Sequence, residues 1–287
     1  MEPADWIDAC ISTVARRYPH LRGRGRLVRL AKHFRSGREV VHQVCFGDDT
    51  FPLILRPTDW IDECLHYNGY YERDEAALFD SLLRPGSTVL DIGANIGYYA
   101  VAAGRKVGDG RVIAFEPVPA TYERLCRNLE LNRCARVTPV LFAAADSAGE
   151  RTIYLVDGDP GSSSFGPRAA GQSVLRVGTR RVDDVLAELG IGHVDLVKMD
   201  VEGAERVALE GMRGVLGRSR PAILMEINPP QLRAAGDSPS ALLQLLAAYE
   251  YRLSRVGPGG VVPFDASQVD QLERNINVLA VASRDSR

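Results

Sequence analysis

The sequence predicts a doubly wound α/β fold with a mostly parallel sheet. From residue 88 onward, short apolar runs alternate with longer amphipathic stretches, the pattern of strands joined by crossover helices. The first of these runs, Thr88-Val89-Leu90, ends in Asp91, with glycines following at positions 93 and 97 and then the small-residue stretch Tyr99-Ala-Val-Ala-Ala103. That order reads as a buried strand, a tight turn with close backbone approach, and a helix whose N-terminus faces a ligand. The second run, Arg111-Val-Ile-Ala-Phe115, ends in Glu116, 23 residues beyond Gly93. An acid there is where nucleotide folds hold ribose hydroxyls.

The elements follow in order. Residues 5–18 and 26–36 have helical character, and Glu39–Phe46 and Thr50–Leu55 alternate enough to form a hairpin across Gly47-Asp48-Asp49. Asp74–Leu83 is an amphipathic helix stopped by Arg84-Pro85-Gly86. The core then runs strand 88–92, helix 97–106, strand 111–115, helix 119–131 and strand 136–142. Glu150–Val156 and Ser173–Val177 form a hairpin-like insert around the loop 157–168. Strand 194–199, helix 203–216, strand 221–227, helix 239–249 and strands 250–256 and 276–283 complete a seven-stranded sheet. Residues 1–70 thus form a helical and hairpin addition, suited to a lid or to self-association as a homo-oligomer, and 71–287 the main domain.

Composition narrows the function classes. A chain of 287 residues can bury a sizeable core, and a net charge of −2 exerts no overall pull toward nucleic acid or membrane. No apolar run approaches the roughly 20 residues of a membrane span, and the polar N-terminus is not a signal peptide, so a cytoplasmic location is expected. Five cysteines, at 10, 45, 64, 126 and 134, without a Cys-x-x-Cys pair, read as reduced thiols. Three lysines against 32 arginines is what GC-rich codon usage produces and carries no chemistry.

The glycine pattern selects among nucleotide ligands. A dinucleotide fingerprint needs Gly-x-Gly-x-x-Gly, and a phosphate loop needs Gly-x-x-x-x-Gly-Lys-Ser/Thr; this chain has neither around Asp91-x-Gly93-x-Asn95-x-Gly97. An acid before the turn repels a pyrophosphate but suits a ligand bearing an ammonium and a sulfonium. The turn resembles the first motif of class I methyltransferases dependent on S-adenosylmethionine (SAM). A second block, Val194-Asp-Leu-Val-Lys-Met-Asp-Val-Glu-Gly-Ala-Glu205, is similar to the signature of the FkbM family, as are Gly69-Tyr-Tyr-Glu72, Phe115-Glu-Pro117 and Thr179-Arg-Arg-Val-Asp-Asp184. The resemblance covers about residues 65–283 and implies a Rossmann-like methyltransferase sheet that binds SAM and releases S-adenosylhomocysteine.

Ligands in such sheets lie beyond the carboxyl ends of the strands. Asp91, Gly93, Ala94, Asn95, Gly97, Tyr98, Glu116 and Pro117 are therefore expected around the cofactor, with free backbone N–H groups at the start of the helix near Gly97. Ala144 and Asp146, after the third strand, are candidates for the adenine edge, and the family's upstream element brings Tyr71 and Glu72 over the methionine part.

Lys198 and Asp200 share one face of the fourth strand, and Glu226 and Asn228 one face at the end of the fifth. The expected arrangement pairs the buried Lys198 with Glu226 and places Asp200 nearest the sulfonium, with Glu202 or Glu226 taking or orienting the departing proton. No resident metal is then expected; without that pairing, Asp200, Glu226 and Asn228 would form an oxygen set suited to magnesium. Ser163, Ser164 and Phe165 in the 157–168 loop, together with Asn228, are the candidate substrate contacts. The expected activity is O-methylation of a hydroxyl, or less readily a carboxyl, on a small molecule such as a natural product or glycoside. Between Arg16 and Arg38, nine Lys or Arg residues without an acid offer a second reading, methylation of a nucleic acid. A SAM-binding interaction protein without turnover is the third. None of the five histidines falls in a matched motif.

Overall fold

The computed structural model describes residues 3–34, 37–156, 159–167 and 172–283. The N-terminal part comprises α1 (Pro3–Arg17), α2 (Arg24–Ala31), the hairpin β1 (Val40–Phe46) and β2 (Asp49–Leu55), and the helices α3 (Trp60–Asn68) and α4 (Arg73–Leu82). There follow β3 (Thr88–Ile92), α5 (Tyr98–Lys106), β4 (Arg111–Phe115), α6 (Pro119–Leu131), β5 (Val137–Val140), β6 (Ala143–Ala144), β7 (Gly149–Val156), β8 (Asp159–Ser164), β9 (Val174–Arg180) and α7 (Val182–Glu188). The C-terminal third holds β10 (Leu196–Met199), α8 (Glu205–Glu210), α9 (Arg213–Arg218), β11 (Ala222–Ile227), α10 (Pro229–Ala234), α11 (Pro239–Ala248), β12 (Tyr251–Gly257), β13 (Gly260–Pro263) and β14 (Ile276–Ala282).

The main sheet has the order β13-β12-β14-β11-β10-β3-β4-β5. Strands β11, β10, β3, β4 and β5 run parallel, and β14, β12 and β13 add an antiparallel edge. The chain leaves β3 toward β4 and β5 and returns to β10 on the other side, so the switch of direction falls between β3 and β10. Ligands bind in the crevice at such a point. The parallel strands are apolar on both sides because helices cover both faces. One face packs under α7, α8, α9 and α11; the other packs under α4, α5, α6 and the β1–β2 hairpin.

Several elements depart from the sequence reading. The sheet has eight strands instead of seven, since Gly259 and Gly260, both with positive φ, turn the chain back into the extra edge strand β13. The stretch 203–216, expected as one helix, is two, α8 and α9. Its break is at Gly211, where a Cβ would lie 1.9 Å from the Ala145 carbonyl oxygen, so the helix yields to a close backbone crossing. The loop 157–168 contains β8, which pairs antiparallel with β7 and extends a separate sheet ordered β6-β9-β7-β8; residues 157, 158 and 168 lie outside the described residues. The short helices α3, α7 and α10 had no periodic signal of sufficient length to announce them.

The basic stretch is only partly a solvated face. Arg24 donates to the Ala15 and Tyr67 carbonyls, Arg16 bonds His42 and the Gln43 carbonyl, and Lys32 pairs with Glu63 at 2.6 Å. Three of its cations therefore bind the first two helices to the hairpin and α3. Buried Asp8 reinforces that joint by accepting from Tyr67 Oη at 2.5 Å and meeting His66 Nε2 at 3.1 Å. None of the five cysteines forms a disulfide. Among the described residues no helix is long and apolar enough to cross a membrane.

Candidate active site

A cavity of about 390 Å³ opens at the switch point beyond the carboxyl ends of β3, β4, β10 and β11. Five carboxylates (Asp91, Glu116, Asp200, Glu202, Glu226) and one lysine, Lys198, line it. So strongly acidic a wall admits a cation and rejects a pyrophosphate.

The cofactor half is built by the turn after β3. Asp91 ends in a fully buried position, accepts the Ala100 N–H at the start of α5, and leaves Oδ2 without a hydrogen-bond partner. Burial pushes its carboxyl up to about 7, against the opposing pull of Lys198. Glu116 accepts from Asn95 N at 3.0 Å and Val118 N at 2.9 Å, and burial likewise raises it to about 7 despite those donors. Gly93 has φ +88°, and a Cβ there would stand 1.9 Å from the Asp200 carbonyl oxygen. Only glycine lets the strand ends on either side of the crevice approach this closely. Ala94, Asn95, Tyr98, Pro117 and Ala144 also line the cavity, as does Tyr71.

Four expectations on this side need correction. Gly97 does not line the cavity: it starts α5 in the left-handed region, φ +95°, and packs against Leu125. The N–H groups of Gly93 and Ala94 bond the Phe115 carbonyl, Ile96 N bonds Asn95 Oδ1, Gly97 N bonds the Ala94 carbonyl and Ala100 N bonds Asp91, so donors of the turn and one from the first turn of the helix are already engaged. Asp146 is exposed, pairs with Arg151 at 2.7 Å and does not line the cavity. Glu72 lies behind the cavity wall, accepting from Tyr99 Oη at 2.8 Å.

Glu72 also changes the account of Lys198. The ammonium lies 3.7 Å from Glu72 Oε2, 4.0 Å from Asp200 Oδ2 and 4.8 Å from the centre of the Tyr99 ring. The expected pairing with Glu226 does not form; Glu226 accepts from Asn275 instead. The cause is register. Lys198 pairs with Leu224 across the strands, which leaves Glu226 two residues further out, whereas Glu72 enters from a segment remote in sequence. Burial works to lower the Lys198 pKa, but Glu72, Asp200, Glu226 and Asp91 together overcome it and hold it above its ordinary value.

At the acceptor end, Asp200, Glu202 and Glu226 bring one oxygen each within 4.8 Å of one another. Burial first, then Asp200 and Glu202, push Glu226 up to about 9. Asn228 is no ligand to this set. Its Oδ1 caps α10 by accepting Gln231 N at 3.3 Å, and its Nδ2 donates to Glu202 Oε2 at 2.8 Å. A divalent cation would thus meet Asp200, Glu202 and Glu226, with Glu202 in place of Asn228. Glu72, Asn95 and Glu202 all have φ between +44° and +49°, a conformation that costs a non-glycine residue energy and clusters where a site needs it.

Ser163, Ser164 and Phe165 reach the cavity as expected, although from a strand and its end rather than a loop. Trp60, Ile61, Phe142, Ile153 and Asn275 line it too, and sequence reasoning passed over them. Asp59 just before Trp60 was a helix-start signal that could have revealed α3; nothing local marks Asn275.

The orphaned Asp91 oxygen, the Glu116 end of β4, the Gly93 crossing and the acidic wall fit SAM. The family described as "Methyltransferase FkbM domain" matches residues 91–253. Among curated proteins, the chain is 31% identical to methyltransferase sdnD of Sordaria araneosa over 43% of this chain and 60% of that protein. It is 32% identical to the 31-O-demethyl-FK506 methyltransferase FkbM of Streptomyces tacrolimicus, over 45% of this chain and 61% of the relative. With the hexuronic acid methyltransferase AglP of Haloferax volcanii it shares 26% identity, over 61% and 68% respectively. The chain spans about three fifths of the length of the first two. With a match over more than half of its residues, the chain belongs to the FkbM family of methyltransferases.

Proposed function

We propose that the protein is an O-methyltransferase that uses SAM to methylate a hydroxyl of a small molecule, a natural product or a glycoside. The observation that carries this reading is the cluster of Asp200, Glu202 and Glu226 at the acceptor end. An ionised carboxylate accepts hydrogen bonds and donates none, so carboxylates at Asp200 and Glu202 recognise O–H groups and disfavour an anionic acceptor, while Glu226, pushed up to about 9, adds a carboxyl that is neutral near pH 7. The name of one relative, 31-O-demethyl-FK506 methyltransferase, supports methylation at oxygen; a hexuronic acid, named for another, offers both hydroxyls and a carboxyl, so the product test below separates the two.

Bound SAM supplies an electrophilic methyl group on a sulfonium; the acceptor oxygen gains the methyl and gives up its proton. The chain's own part is positioning and proton handling. Asp91 Oδ2 and Glu116 hold the cofactor's polar ends. Glu202, oriented by Asn228, takes the acceptor's proton at a carboxylate oxygen. Glu226, held neutral near pH 7, donates to or orients the acceptor, and the Lys198 ammonium faces Asp200 at 4.0 Å. Of the basic stretch, the cations bound internally are withdrawn from any phosphate, which weighs against a nucleic-acid substrate.

The test is the chemistry of the product. Incubation with methyl-labelled SAM and mixed hydroxyl and carboxylic acid acceptors is expected to give label stable to mild alkali, an ether. Alkali-labile label, an ester, would overturn the hydroxyl assignment.

A further inference from the structure

The main cavity is small for what it has to hold. A site for one drug-sized ligand occupies about 300 to 1,000 Å³, and SAM, a nucleoside joined to an amino acid, is already a ligand of that size. At about 390 Å³ the cavity has room beside the cofactor for the reacting end of an acceptor and little more.

A second cavity, of about 300 Å³, adjoins it. Phe165 lines both, and the turn after β10 passes from one to the other: Val201 and Glu202 line the first, Gly203 and Ala204 the second. Two close crossings onto α10 fix this frame. A Cβ at Gly203 would stand 2.7 Å from the Gln231 carbonyl oxygen, and one at Gly166 would stand 2.5 Å from the Ala235 nitrogen. Neither approach leaves room for a side chain. Ser164 Oγ donates to the Gly166 carbonyl at 2.6 Å, which ties together the residues on either side of Phe165.

The walls say what the second cavity would take. Arg151 and Asp237 bring opposite charges to it, and each is already paired, Arg151 with Asp146 at 2.7 Å and Asp237 with Arg206 at 2.6 Å. An anion or a cation placed there is attracted by one and repelled by the other. Thr152 and Gly203 apart, the rest of the described wall is Ala204, Val207, Ala235 and the Phe165 ring, over which the Arg151 guanidinium lies at 5.8 Å. Such a surface gains most by covering uncharged hydrocarbon.

We propose that the second cavity is a distal acceptor subsite. The acceptor is a two-part molecule: its hydroxyl end reacts beside Glu202, while an uncharged, hydrocarbon-rich body passes Phe165 and rests against α8 and the end of α10. The inference rests on the hydroxyl-methylation reading above and adds the part of the substrate which that reading leaves open.

The experiment uses the full chain saturated with S-adenosylhomocysteine. Saturation-transfer NMR measures the affinity of a series of phenylalkanols, from benzyl alcohol to phenylhexanol, and of hydroxy acids and amino alcohols of matching length. Affinity of the neutral series is expected to rise by up to about fourfold per methylene and to level off once the second cavity is full. The charged-ended series should gain less. Ala235→Phe and Val207→Phe each fill the second cavity from positions that do not line the first. Each is expected to remove the gain with length, about tenfold or more at phenylhexanol, and retained S-adenosylhomocysteine binding shows that the variants fold. Affinity independent of length, a gain with length kept in both variants, or tighter binding of the charged-ended members would each overturn the subsite while leaving the hydroxyl reading in place. If no alcohol of any length binds while S-adenosylhomocysteine does, the hydroxyl reading falls and the subsite with it.

Discussion

The two halves of the cavity handle negative charge in different ways. In the cofactor half, Asp91 and Glu116 end neighbouring strands and are each held by backbone N–H groups, Asp91 by Ala100 of α5 and Glu116 by Asn95 of the turn and Val118. In the acceptor half, three carboxylates crowd within 4.8 Å, and the nearest cation, Lys198, stands 4.0 Å from one of them. Backbone donors are placed by the fold and do not move, so the first half is preorganised for one ligand. The second half relies on side chains from β10, β11 and two distant segments. A fixed cofactor site next to an adaptable acceptor site is an economical way to vary substrates on one fold.

The sharpest way to break this comparison is through the acceptor half alone. Glu202→Gln is expected to lower single-turnover methyl transfer by about 10²–10⁴-fold, the usual size of general-base assistance, with SAM affinity nearly unchanged. Glu226→Gln should be much milder, because an amide replaces a carboxyl held near 9 and therefore already neutral at pH 7. Loss in Glu226→Gln with only a mild effect in Glu202→Gln would mean that Glu226 is the base; full activity in both would remove acid–base assistance from the mechanism.

A smaller effect tests the cofactor half. Glu116→Ala strands the Asn95 and Val118 N–H groups and should weaken SAM binding by about 1.5–3 kcal/mol, the scale of a lost charged hydrogen bond. Its pH dependence has a definite sign. Burial holds both Asp91 and Glu116 up to about 7 in the unliganded protein. Below that pH they carry protons, which a cationic ligand must displace. SAM affinity is therefore expected to rise with pH up to about 7 and level off above it, with protons released on binding. Calorimetry in buffers of different ionisation heat measures both; proton uptake would contradict this reading.

The smallest expected effect is none. Turnover should survive EDTA, because Lys198 already supplies positive charge beside Asp200. Activity lost on chelation and restored by magnesium would place a cation on Asp200, Glu202 and Glu226 and reassign the crowding to a metal.

How far the site was legible differs between the halves for a local reason. Asp91, Gly93, Ala94, Asn95, Glu116 and Pro117 lie in two short segments at strand ends, where spacing alone implies proximity. Lys198 shows the limit. Its burial implied a partner, and Glu226 was near in register, but the partner is Glu72, about 126 residues earlier in the chain and brought in by the entry to α4. Asn228 shows another: an amide after a strand, followed by two prolines, is as well suited to capping a helix as to meeting a ligand, and here it does the former while steadying Glu202.

By itself the sequence determined the alternating strand and helix order, the β3–α5 turn and the acid at the end of β4, because periodicity and glycine sterics act over a few residues. Tertiary structure decided what those elements could not express locally. It set the eighth strand and the second sheet, the break between α8 and α9 at the Ala145 carbonyl, the choice of Glu72 over Glu226 for Lys198, and the arrival of Trp60 at the cavity. Each depends on which distant segments share a space, and close packing with charge pairing settles that only once the whole chain is in place.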